Sequence, residues 1–249
     1  MDITTGVKQK PYKLLIYGTS GIGKSTFANR ALKPFVLQTE ESHEELGTPR
    51  SPLAKTFDEF IEYGTWLLKN EHDFKTIIID SLDWLEELAS QSVVTDYGVE
   101  SITDTAFAYG KGNRLVADKM KRIEKMCDLL VDKGLNVMLV AHADIKRYDD
   151  PRNDGYDRYE PKLNKQTAAI WTEWSHGVLF ANQEATTVEK KGAIGDKTRA
   201  VDTTERLLYT VEQPAYKAKN RWNLPPKIIL SFKEFDKHYQ AFYAKGETK

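Results

Sequence analysis

The stretch Gly18-Thr19-Ser20-Gly21-Ile22-Gly23-Lys24-Ser25 follows the apolar run Leu14-Leu15-Ile16-Tyr17 and leads into Thr26-Phe27-Ala28-Asn29-Arg30. The order is strand, glycine-rich loop, helix. Glycines let backbone N–H groups turn inward around phosphates, and the start of the following helix adds partial positive charge. Lys24 is placed to reach the β- and γ-phosphates, and the Ser25 hydroxyl to ligate the Mg²⁺ that accompanies a nucleotide. The pattern predicts a phosphate-binding site over Gly18, Thr19, Ser20, Gly21, Ile22, Gly23, Lys24, Ser25 and Thr26, with ATP and Mg²⁺ as cofactors. A plain glycine turn between strand and helix is the other reading, and the strand before and helix after the full motif weigh against it.

A chain of 249 residues, 40% of them hydrophobic, can bury one substantial core. The formal net charge of −1 provides no global basic field, so any nucleic-acid binding has to be local. Cys127 is the single cysteine, which excludes an internal disulfide and fits a reducing compartment. No apolar run approaches the roughly 18 residues of a membrane span. The expectation is a cytoplasmic protein with no membrane partner.

Residues 1–11 read as a polar arm and residues 12–249 as one domain. Pro34 ends the helix that carries Lys24 near Leu32, and Phe35-Val36-Leu37-Gln38 forms a strand running into Glu40 and Glu41. Thr56 and Glu59 make a capping box for the next helix. Lys75 to Asp80 is a continuous apolar strand ending in a carboxylate, of the kind buried on both faces of a parallel sheet. An aspartate at that position holds Mg²⁺ or its water; capping the helix that starts at Ser81 is its other reading. The periodicity of Leu82 to Leu88 is helical, whereas Ser92 to Gly112 loses it and reads as a mobile surface loop. A long helix follows from Asn113, and Asn136 to Ala141 forms a buried strand terminating at His142.

The alternation predicts an α/β fold, a mostly parallel sheet flanked by helices, with ligands at the C-terminal ends of the strands. Gly18, Glu40, Asp80 and His142 all fall at such ends. Residues Ala143 to Gln166 read as a long polar loop whose basic residues are matched by acidic ones, so a solvated loop and a nucleic-acid contact both fit. Beyond a strand over His176 to Ala181, Thr186 to Glu189, a turn over Gly192 to Gly195, and Arg206 to Val211 predict an antiparallel extension of the sheet.

This order of motifs resembles the RecA/Rad51-type recombinase core, most closely the compact phage ATPases described as RecA-like single-strand annealing or recombination-mediator proteins. The resemblance runs from Leu14 to Leu230. It implies that Glu40 orients and deprotonates the water attacking the γ-phosphate, with Glu41 as adjacent competitor. His142 takes the place of a γ-phosphate-sensing glutamine, and a structural histidine is its other reading. Ala218-Lys219-Asn220-Arg221 is similar to a stretch that reaches a neighbouring subunit's ATP, so Lys219 and Arg221 are implied to act in trans; a basic surface turn is the alternative. A head-to-tail homo-oligomer, ring or filament, follows. Single-stranded DNA would meet loops over Ser92 to Gly112 and Ala143 to Gln166, with Lys146, Arg147, Arg152 and Arg158 on phosphates. The implied function is ATP-hydrolysing annealing or mediator activity, with single-strand-binding or other recombination proteins as further partners and a bacterial host cytoplasm as the setting. A nucleotide-gated loader or scaffold, and a small-molecule kinase, are the competing classes.

Overall fold

In a computed structural model, residues 8–41, 46–150, 154–190 and 197–246 are described. The central strand is β1, Lys13–Gly18, whose residues Leu14 to Tyr17 are all fully buried. Alternate side chains enter different cores. Leu14 and Ile16 join one cluster, and Leu15 and Tyr17 the other, as a parallel strand covered on both faces requires.

The neighbours of β1 set the architecture. The sheet includes β2 (Pro34–Gln38), β3 (Thr76–Asp80), β4 (Asn136–Tyr148), β6 (Gly177–Lys190), β7 (Lys197–Tyr209) and β9 (Lys227–Ile229), in the order β2-β3-β4-β1-β6-β7-β9. Strands β2, β3, β4, β1 and β6 are parallel, while β7 and β9 extend the sheet antiparallel. Two short strands lie off this path: β5 (Tyr156–Pro161) pairs with β4, and β8 (Lys219–Asn220) pairs with β6. The α/β expectation with an antiparallel extension therefore holds.

Helices α2 (Phe57–Lys69), α3 (Leu82–Tyr97), α4 (Lys111–Asp132) and α5 (Lys165–Trp174) supply the core on one face. The other face is covered by α1 (Lys24–Ala28) and α6 (Phe232–Gly246), with Phe27, Trp222, Phe235 and Tyr239 in its core. Cys127 is fully buried, and no helix among the described residues is long and apolar enough to cross a membrane.

Three local expectations change. Helix α1 stops at Ala28, short of Leu32. Helix α3 continues through Ser92 to Tyr97, and short 3₁₀ turns within Thr105–Gly110, broken by non-helical backbone at Phe107, Ala108 and Tyr109, precede α4, so part of the stretch expected to be a loop holds regular structure. The polar stretch after His142 is a ribbon: Ala143 to Tyr148 pairs antiparallel with Tyr156 to Pro161. One face of this ribbon pairs Ala143 with Pro161 and Ile145 with Tyr159 but also Arg147 with Asp157, and the other face is mostly charged, so hydropathy carries only a weak strand signal there. Residues 1–7 of the arm, Arg152 and the turn over 192–195 lie outside the described residues.

Candidate active site

Strand β1 delivers Gly18 to the C-terminal edge of the parallel sheet, where the chain turns into α1. Gly21 and Gly23 take φ of +74° and +112°, a left-handed region that disfavours side chains. The Lys24 side chain folds back over the loop: its Nζ donates to the carbonyls of Gly18 at 3.1 Å and Thr19 at 2.9 Å. Burial lowers its pKa and Asp80 opposes that shift. A phosphate arriving above the loop offers this ammonium a charged acceptor in place of two carbonyls.

The next position reaches across the sheet. Ser25 Oγ donates to Asp80 Oδ2 at 2.7 Å, although β4 lies between β1 and β3. Asp80 is fully buried at the end of β3. The cap role considered for Asp80 is not what its side chain does toward Ser25; the N-cap position of α3 is Ser81. Hydroxyl and carboxylate oxygens side by side are the donor set that Mg²⁺ prefers, and they leave its remaining positions to phosphate and water.

Glu40 is held beside this pair by the link between β2 and β3. Thr39 N donates to Asp80 O at 3.0 Å, and Thr39 Oγ1 both accepts from Ser81 N and donates to Ser81 O, each at 2.7 Å. Burial raises the Glu40 pKa, and the adjacent Asp80 carboxylate raises it further. Glu41 is exposed, and it lines the same cleft as Glu40.

His142 pairs in register with Gly18, which brings it beside the loop. Asp83, in the first turn of α3, accepts from His142 N at 3.0 Å and faces its Nδ1 at 2.9 Å. That hydrogen bond raises the imidazole pKa against the effect of burial, whereas burial of Asp83 is outweighed by its bonds to His142, leaving its pKa lowered. Asp83 escaped sequence reasoning. Its only local signal is an acidic residue one helical turn beyond Asp80, which reads equally well as an ordinary first-turn carboxylate. Together these groups face a cleft of about 580 Å³ lined by Ser20, Gly21, Lys24, Ser25, Glu40 and His142 among others.

Lys219 and Arg221 are not brought to this cleft. Lys219 pairs with Val178, which pairs with Leu15, so it lies three residues, roughly 10 Å, toward the opposite end of the sheet from Gly18. Its Nζ donates to the terminal carbonyls of α5, Thr172 O at 2.9 Å and Glu173 O at 3.1 Å. Arg221 is exposed beside it, and the surroundings are cationic: burial and the charges of Arg221, Lys13 and Lys219 push the His176 imidazole down to about 4.

The four basic residues expected to meet DNA fare differently. Arg158 is buried between Glu160 and Glu212 and stacks 3.8 Å over the Tyr148 ring. Lys146 donates to the carbonyls of Pro161 and Leu163. Both head groups are thus occupied by contacts within the chain. Arg147 remains largely exposed, with a distant partner in Asp157 at 3.8 Å.

A strand, a glycine-rich loop with an inward lysine, and a serine hydrogen-bonded to a buried strand-end aspartate define a P-loop nucleotide-binding domain of α/β architecture. A family model described as AAA domain matches residues 10–222, and the chain belongs to that family. The match encloses the loop and every strand-end residue above. P-loop domains of this kind are nucleoside triphosphatases that in general take ATP with Mg²⁺. The chain is also similar to the SPbeta prophage-derived uncharacterized protein YorG of Bacillus subtilis (strain 168), with 25% identity over 182 residues, 72% of this chain and 53% of the relative. It spans about half the length of that protein.

Proposed function

We propose that this protein is an ATP-hydrolysing, single-stranded-DNA-binding recombination factor that anneals strands or loads a partner, and that it hydrolyses ATP between head-to-tail subunits. The observation that carries this reading is the division of the site. Lys24, Ser25, Glu40, Asp80 and His142 gather at one end of the sheet, and Lys219 and Arg221 sit in a cationic cluster at the other. Head-to-tail stacking would set the second group against a neighbour's first.

Within that arrangement ATP with Mg²⁺ supplies the phosphoanhydride and a neutralising charge. Lys24 exchanges its carbonyl partners for phosphate oxygens. Ser25 and Asp80 hold the cation side. Glu40, its proton affinity raised by burial and by Asp80, takes the proton of the attacking water. His142, oriented by Asp83, donates toward the terminal phosphate. Lys219 and Arg221 of an adjacent copy stabilise charge on the transferred group. Contact with DNA is assigned to the far end of the β4–β5 ribbon, where Arg147 is exposed and Tyr148 and Tyr156 lie with ring centroids 5.4 Å apart. The RecA-type resemblance and the prophage origin of YorG support the recombination setting.

The test is the ATPase rate with and without single-stranded DNA, together with assembly state in a non-hydrolysable ATP analogue. Stimulation by DNA, loss with Lys24→Ala, and partial recovery on mixing Lys24→Ala with Lys219→Ala/Arg221→Ala protein are expected. No DNA effect on rate or assembly overturns the reading. Annealing that survives Glu40→Gln undiminished replaces it with a nucleotide-gated loader.

A further inference from the structure

The strand order gives the nucleotide cleft a polarity. On one side of β1 stand β4, β3 and β2, which bring His142, Asp80 and Glu40; on the other stand β6, β7 and β9. A nucleotide whose terminal phosphate points at the first group must run its proximal phosphates and nucleoside toward the second. Arg206 of β7 lies there. It pairs with Gln183, two residues beyond the point where β6 leaves Gly18 of β1, so it stands above the sheet's C-terminal edge. It shares a face of β7 with Leu208, two residues on, whose side chain joins the core beneath α1. That face is the one that carries the phosphate loop.

The guanidinium accordingly lies against the loop itself. A Cβ placed on Gly23 would be 3.4 Å from Arg206 Nη1 and 3.5 Å from Leu230 Cδ2. The backbone behind it is pinned, since Leu230 N donates to Arg206 O at 2.8 Å. The side chain is exposed, and among the described residues no carboxylate is paired with it. An exposed guanidinium beside the glycine that precedes Lys24, with no carboxylate among the described residues paired to it, is suited to a planar, charge-assisted contact with phosphate oxygens.

We propose that Arg206 binds the nucleotide in cis, through the proximal phosphates of a nucleoside diphosphate or triphosphate, with Leu230 covering the adjoining sugar. This rests on the nucleotide site proposed above and adds a residue to it. Arg206 acts in binding: it stands on the far side of the loop from Glu40 and His142, and touches the part of the ligand that ATP and ADP share.

Titration with ADP, which needs no hydrolysis, separates the two readings. Against wild type, Arg206→Gln is expected to weaken ADP binding about tenfold, the size of one lost charge-assisted hydrogen bond, and Arg206→Lys to recover part of it. The loss should shrink as salt is raised and vanish for adenosine, and KM for ATP should change more than kcat. An unchanged thermal midpoint excludes misfolding. Wild-type binding of ADP with Arg206→Gln within twofold of it overturns the role of Arg206 and leaves the nucleotide site intact. A wild-type chain that fails to bind ADP overturns both.

Discussion

Replacing Gly18 by alanine tests the frame on which the site is built. In the native backbone the added Cβ would sit 2.2 Å from the Ala181 carbonyl oxygen and 3.1 Å from the Ala181 carbonyl carbon and Cβ, where ordinary contact begins at 3.4 Å. The obstacle is main chain, and β1 is hydrogen-bonded on both sides, to β4 and to β6. Relief therefore requires a neighbouring strand to retreat by more than about 1 Å, an overpacking cost of about 3 kcal/mol. Gly21→Ala is the internal control: its Cβ meets nothing within 4 Å, and only the φ of +74° opposes it, at about 1 kcal/mol. For a chain of this size those costs correspond to thermal midpoints lowered by about 6–12 °C and about 2–4 °C respectively. Differential scanning calorimetry of both variants, with ADP titrations of each, reads the result. A Gly18→Ala midpoint equal to or above that of Gly21→Ala would refute the Gly18–Ala181 register and with it the placement of the loop against β6.

Asp83→Asn should move the alkaline limb of the ATPase pH profile to lower pH, because the pair holds the His142 pKa above its usual value and the charged imidazole is lost as pH rises through it. The matching stability term in wild type is fully present below the unfolded histidine pKa of about 6.5 and disappears as pH rises through the raised native value; urea midpoints for the variant should be flatter across that window, and an unchanged profile would deny the pair a role. Ser25→Ala removes the 2.7 Å bond to Asp80 and one cation ligand, so the Mg²⁺ concentration for half-maximal ATPase should rise about tenfold; no shift would place the cation elsewhere. Glu40→Gln should bind ATP with near-normal affinity while turnover falls at least about a hundredfold, checked by pre-steady-state hydrolysis.

The features legible in the sequence are those written locally. Gly18 to Ser25 carries its chemistry in eight consecutive residues, and the buried strands ending at Asp80 and His142 announce themselves by continuous apolar runs. The ends of these strands bring Asp80 and His142 to the same edge of the sheet as Gly18. Asp83 was not legible, because its role comes from β4 bringing His142 alongside α3, a contact spanning 59 residues. The ribbon of β4 and β5 is hidden for a different reason: Ala143, Ile145 and Tyr159 share one face with Arg147 and Asp157 while the other face is mostly charged, so the alternation that marks a strand is diluted. Tertiary contacts likewise occupy Arg158 and Lys146, which composition alone presents as free cations.

By itself, then, the amino-acid order determined that this protein has a phosphate-binding loop in an α/β sheet, since the loop motif and the apolar runs of the strands are each written in consecutive residues. Only the tertiary structure decided that β4 lies between β1 and β3, that Ser25 and Asp80 meet, that Lys219 and Arg221 face away from their own cleft, and that Arg206 stands over Gly23. Strand order is set by hydrogen bonds and packing among segments far apart in the chain, and no local periodicity records it.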